Sequence, residues 1–163
     1  MMSKRCILLV ALCIILCLSI SCVKKNSIPS KEDVQAFFDD NYDTIMIIND
    51  YIVNSDYQYV LIDNNYEYGE FYANINHSRN SSLPDSISTA VNKLANGRNI
   101  SIAYLYDNMT IEYEIWCDNY DRGCGFAYVL DDQSIPCIQY LLNYEKLSTE
   151  GWYYYSTDYN ATR

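Results

Sequence analysis

Histidine is nearly missing from this chain: His77 is the only one in 163 residues. Zinc sites use His and Cys at set spacings. Cys117, Cys124 and Cys137, the three cysteines beyond the N-terminal apolar run, fall at no such spacing. No metal and no cofactor is expected. His77 itself sits in a Ser/Asn loop without an evident partner, which reads as a solvated residue rather than a general base. Glycine is also scarce, with five residues placed singly, so no glycine-rich loop can cradle a phosphate. No serine stands in a nucleophile-elbow context. Basic residues number 11 against 21 acidic ones, a formal net charge of −10. Such a chain repels phosphate backbones, and nucleic acid is not an expected partner.

What the chain does have begins at its N-terminus. Met1-Met2-Ser3-Lys4-Arg5 is a basic start, Cys6 to Ile20 is mostly apolar, and Ser19-Ile20-Ser21 precedes Cys22. This is the order of an export signal. The apolar stretch is 15 residues long, short of the roughly 20 that a membrane span needs. An uncleaved anchor and a plain secretory signal are the competing readings. A cysteine just after the small residues resembles the lipobox of bacterial lipoproteins. In that family the cysteine is lipidated and becomes the new N-terminus. The resemblance departs at one place: the leucine usually three residues before the cysteine is here Leu18, four before it. It implies a signal peptide over 1–21, lipid on Cys22, and a protein held on the extracytoplasmic face of the cell membrane. The multi-chain lipid of that family implies stable anchoring.

Residues 22–29 then form a tether, and 30–163 a single domain. Loss of Lys4 and Arg5 with the leader leaves nine basic and 21 acidic residues, a formal charge of −12. The acidity suits a basic partner, or serves solubility alone. Export permits a disulfide.

The pattern along the domain predicts an α+β fold. Ser30 is a good helix N-cap with Glu32 and Asp33 in the first turn. Val34, Phe37, Phe38, Ile45, Ile48 and Ile52 follow helical spacing, with Asp39, Asp40, Asp43 and Asn49 as the wet side, to an end near Val53. Strands are predicted at 57–62 and 68–75, and a second, shorter helix at 85–95 stopped by Asn96-Gly97.

The clearest stretch is a three-stranded antiparallel meander at 99–130. Ile100, Ile102, Tyr104 and Tyr106 alternate, as do Met109, Ile111, Tyr113, Ile115 and Cys117. A turn at Asp107-Asn108 sets Tyr104 opposite Ile111 and Ile102 opposite Tyr113. A loop over 118–123 then sets Cys117 opposite Cys124, Ile115 opposite Phe126 and Tyr113 opposite Tyr128. That register predicts a disulfide between Cys117 and Cys124, with Cys137 as a remaining idle thiol. Residues 137–147 read either as helix or as irregular packing. Residues 151–155 read as a last strand.

Candidate chemistry is thin. Acidic groups at 39–43, 118–121 and 131–132 offer oxygen ligands but not the EF-hand order. Glu112 and Glu114 share the meander face opposite its apolar side. A carboxylate pair there can do glycosidase work, whereas solvated strand glutamates are the plain reading. Eighteen tyrosines are the compositional oddity. Exposed tyrosine gives binding area at low entropy cost; an AT-rich coding bias explains the same excess. Trp152, Tyr153, Tyr154 and Tyr155 are the candidate binding surface, because only one alternating pair of a strand can face the core. The end Trp152-Tyr153-Tyr154-Tyr155…Asp158-Tyr159-Asn160 resembles the endings of small lipoproteins of low-GC Gram-positive bacteria. The expected function is binding of a protein or glycan at the membrane surface, an inhibitor or self-protection protein being one form. The rival is a cell-envelope hydrolase using Glu112 and Glu114.

Overall fold

The computed structural model describes residues 27–65, 70–79, 81–118, 121–131 and 135–161. Residues 1–21, expected to be a signal peptide, and Cys22, the expected lipid site, lie outside the described residues. Two helices pack on an eight-stranded antiparallel sheet, an α+β fold.

Helix α1, Lys31–Val53, starts where its sequence dictates. The Ser30 hydroxyl accepts from the Asp33 amide at 3.3 Å, and the Asp33 carboxylate accepts from the Ser30 amide at 3.0 Å. This reciprocal cap satisfies two donors that a helix start leaves open. Val34, Phe38, Ile45, Ile48 and Ile52 are all buried. Phe37 is half-buried beneath the Arg98 guanidinium, 5.0 Å from its ring. Asn49, expected on the wet side, is buried as well, and its Oδ1 has no hydrogen-bond partner. Helix α2, Asp85–Ala95, rests on α1. Its chain leaves through Asn96 and Gly97, both at positive φ.

The strands are β1 Tyr59–Asn65, β2 Glu70–Ile75, β3 Ser78–Arg79, β4 Ser101–Leu105, β5 Thr110–Asp118, β6 Arg122–Val129, β7 Leu141–Lys146 and β8 Trp152–Asp158. Their order across the sheet is β3-β2-β1-β4-β5-β6-β8-β7. The β4–β5 register matches the pattern: Ile102 pairs with Tyr113 and Tyr104 with Ile111. The turn differs. Tyr106–Asn108 makes one 3₁₀ turn, and Met109 carries the positive φ in place of the Asp-Asn pair.

The β5–β6 register is a correction. Tyr113 faces Phe126, and the ladder shifts between Glu114 and Trp116. Cys117 therefore sits beside Gly123, and Cys124 beside Trp116. Both cysteines carry thiols, Cys117 at an exposed position and Cys124 buried in the core. The extra residue at the bulge sends them to opposite faces, so the register that placed them for a disulfide does not form. Cys137 is an exposed thiol. Residues 141–146, read as helix or irregular, form an edge strand, and Leu142 interrupts its ladder.

Both helices lie on one face, the front. Its core runs from Val60, Ile62 and Ala73 through Ile102, Ile111 and Tyr113 to Phe126, Trp152 and Tyr154. Among the described residues no helix is long and apolar enough to cross a membrane.

Candidate functional site

The opposite, back face of the sheet is unlike the front. One half is covered. Thr110, Ala127, Val129, Tyr153, Tyr155 and Thr157 are buried there, although neither described helix lies on that side. Strands β6 and β7 run parallel with β8 between them, so the chain must cross the sheet to join them. The crossing passes Thr110, whose hydroxyl accepts from the Cys137 amide at 3.2 Å, while Asn108 Nδ2 donates to the Cys137 carbonyl at 3.3 Å.

The aromatic candidates are buried as well. Trp152, Tyr153, Tyr154 and Tyr155 are only 2, 8, 7 and 1 % exposed. Trp152 and Tyr154 face the core beneath α1, and Tyr153 and Tyr155 face the covered back half. The premise that one alternating pair must face outward holds for a strand with one buried face. Strand β8 is an interior strand buried on both, so these four residues are packing and not a partner surface.

The acid pair is the residue set that gains. Glu112 and Glu114 lie on the back face, at the boundary between the covered half and an open half carrying Leu61, Asp63, Tyr72 and Ala103. They are half-buried rather than solvated. The strand beside them supplies the room. Gly123 and Gly125 face the same way on β6, where a Cβ at Gly123 would stand 2.2 Å from the Glu114 Oε2 and one at Gly125 would stand 1.8 Å from the Tyr113 carbonyl oxygen. Glycine at both places is what allows the bulged ladder and the carboxylate to close up.

The two glutamates are then treated differently. The Glu114 carboxylate folds over Gly123 and accepts a short hydrogen bond from the Tyr159 hydroxyl. Burial lifts its proton affinity, the Tyr159 bond draws it back, and Asp63 adds to the lift. Glu112 receives no hydrogen bond and no ion pair among the described residues. Burial first, and the Glu114 charge second, push its carboxyl up to about 7. A carboxyl removed from water with no compensating donor is costly, and it belongs to the class of perturbed groups that gather at functional sites.

Sequence reading placed the pair on one face but missed its neighbours. Tyr159 lies beyond 151–155, the last strand the pattern predicts. Gly123 and Gly125 alternate within a strand, a signal of close backbone approach that was there to find. The remaining candidates stay apart. His77 stacks on Tyr59 at 4.8 Å in a turn at the sheet edge, where Asn76 and His77 both have positive φ. The acidic group at 118–121 is tied within the chain, with Asp118 on Arg122 and Asp121 on Asn160. Among the described residues no three or more His, Cys, Asp or Glu side chains are grouped to hold a metal ion. Comparison with protein families, characterised proteins and solved structures finds no match to this chain.

Proposed function

We propose that this chain is a lipid-anchored, extracytoplasmic binding protein that takes a basic segment of a protein partner on the back face of its sheet, at Glu112. The observation that carries the reading is the Glu112 carboxyl: half-buried, raised toward neutral pH and without a donor among the described residues. An ammonium or guanidinium supplies what it lacks, a charge-assisted hydrogen bond. The formal charge of −10 favours approach of such a segment over long range. The export-type leader ending at Cys22 supports the location. Hydrolysis by the pair is less well supported. Glycoside hydrolysis uses two carboxyl groups flanking one bond, and here Glu114 is already engaged by Tyr159.

Tetralysine serves as the probe. At about pH 8.5, above the Glu112 titration at about 7, it should bind the native chain, and Glu112→Gln should weaken it at least fivefold, to order of magnitude. Asp40→Asn removes the same charge from the exposed side of α1 and should weaken it less than about twofold. Equal losses in the two variants would reveal diffuse attraction and overturn the site. In cells, Cys22→Ala should move the protein from the membrane to the soluble fraction. Retention in the membrane would make the apolar run a span instead of a lipoprotein leader.

A further inference from the structure

We infer that the segment following β8, Tyr159–Ala161, is a latch on the back face: the Tyr159 hydroxyl occupies the Glu114 carboxylate, and a basic segment entering the site displaces it. The inference rests on the binding reading above and adds a gate to it.

Three features point to a contact that closes and opens rather than to fixed packing. The first is chemical. Glu114 is satisfied by the last aromatic residue of the chain, which reaches it after β8 has ended. Burial and the adjacent carboxylate push the Tyr159 hydroxyl further up from its ordinary value, so it remains a donor throughout the physiological range. It gives Glu114 the kind of contact that a ligand ammonium would give.

The second feature is how lightly the tail is held. The Tyr159 amide donates to the Asp121 carbonyl at 2.8 Å and Asn160 Nδ2 to Asp121 Oδ1 at 2.9 Å. Among the described residues, the Asn160 amide also donates to Asp158 Oδ1 and the Ala161 amide to the Asp158 carbonyl, both on the last residue of β8. Asn160 and Ala161 are exposed. Segments with few buried contacts and exposed hydrogen bonds open at low free energy.

The third is the seat. The Tyr159 ring meets Tyr140 edge-on at 5.7 Å, and Tyr140 is held at φ 61°. A bulky residue in the left-handed region is uncommon and carries a conformational cost. The Tyr140 carbonyl accepts from the Asp158 amide at 3.1 Å, so the strained residue grips the strand end from which the tail departs.

A latch of this kind lowers apparent affinity by the fraction of molecules that are open. Tyr159→Phe keeps the ring on Tyr140 and removes the hydroxyl, with its bonds to Glu114 and to the Thr157 side chain. Tetralysine should then bind roughly fivefold or more tightly than to the native chain at the same pH. The Tyr159–Asp121 amide should exchange at least about tenfold faster. A chain ending at Asp158 should match or exceed the gain in affinity, which guards against the Phe ring keeping the tail shut. Unchanged affinity in both variants, with the native chain still binding, overturns the latch and leaves the binding reading standing. Weaker binding in both overturns it too, because Tyr159 would then help to hold the probe. No binding by any of the three chains refutes the binding reading, and the latch with it.

Discussion

Trp152→Ala is expected to cost about 3–5 kcal/mol of folding stability. Trp152 is 2 % exposed. Its ring lies 4.9 Å from Phe38, 5.0 Å from Tyr128 and 5.8 Å from both Phe126 and Tyr113. These rings come from α1, β5 and β6, so the indole joins the helix to the centre of the sheet. Removing it leaves a cavity that rings fixed on a sheet cannot collapse to fill. Small domains hold only about 5–15 kcal/mol in total, so the variant would sit near the limit of folding. Urea unfolding followed by circular dichroism checks this, with Leu142→Ala as the comparison. Leu142 is 62 % exposed on β7, and its loss should fall within about 0.5 kcal/mol. A Trp152→Ala chain that unfolds at the native midpoint would mean that residues 152–155 form a surface after all.

Glu112→Gln should stabilise the protein at alkaline pH and change it little in acid. The sign follows from proton binding. Burial raises the folded carboxyl to about 7, whereas an unfolded glutamate titrates near 4.3. The folded chain thus keeps a proton that the unfolded chain gives up. The stability this contributes is fully present below about pH 4 and is lost as pH rises through about 7. Native stability should therefore fall between about pH 5 and pH 8 by at most roughly 3 kcal/mol, the half-buried carboxyl keeping some water. In Glu112→Gln that part of the slope should vanish, and the variant should be the more stable chain at about pH 8. Parallel pH profiles for the two proteins would show that Glu112 is ordinarily solvated.

The helices were legible because their signals are local. Ser30 and Asp33 cap α1, and Asn96-Gly97 ends α2, whatever the rest of the chain does. The β4–β5 pairing was legible because both strands alternate up to one short turn. The β5–β6 pairing was not. Moving a register by two residues leaves every side chain on its own face, so alternation cannot separate Tyr113 opposite Phe126 from Tyr113 opposite Tyr128. The turn decides, and it is tighter than composition implied. The Asp118 carboxylate holds both the Arg122 amide and the Arg122 guanidinium, which brings Arg122 onto the strand. A bulge between Glu114 and Trp116 then absorbs one residue. The same non-local cause hid the character of β8. Burial of Tyr153 and Tyr155 depends on residues distant in sequence, such as Tyr144 of β7 beside Tyr153, that no window around 152–155 contains.

The site was half legible for related reasons. Period-two spacing put Glu112 and Glu114 together. Their removal from water depends on Gly123, Gly125 and Tyr159, which sequence distance conceals. The carboxyl carbon of Glu112, followed by NMR as pH is varied in the free chain and again with tetralysine, tests the central claim most directly. Titration near pH 7 is expected in the free chain, moving down by about a unit or more when the ammonium groups arrive. Titration near 4.3, the value of an ordinary solvated glutamate, and indifferent to tetralysine would contradict it.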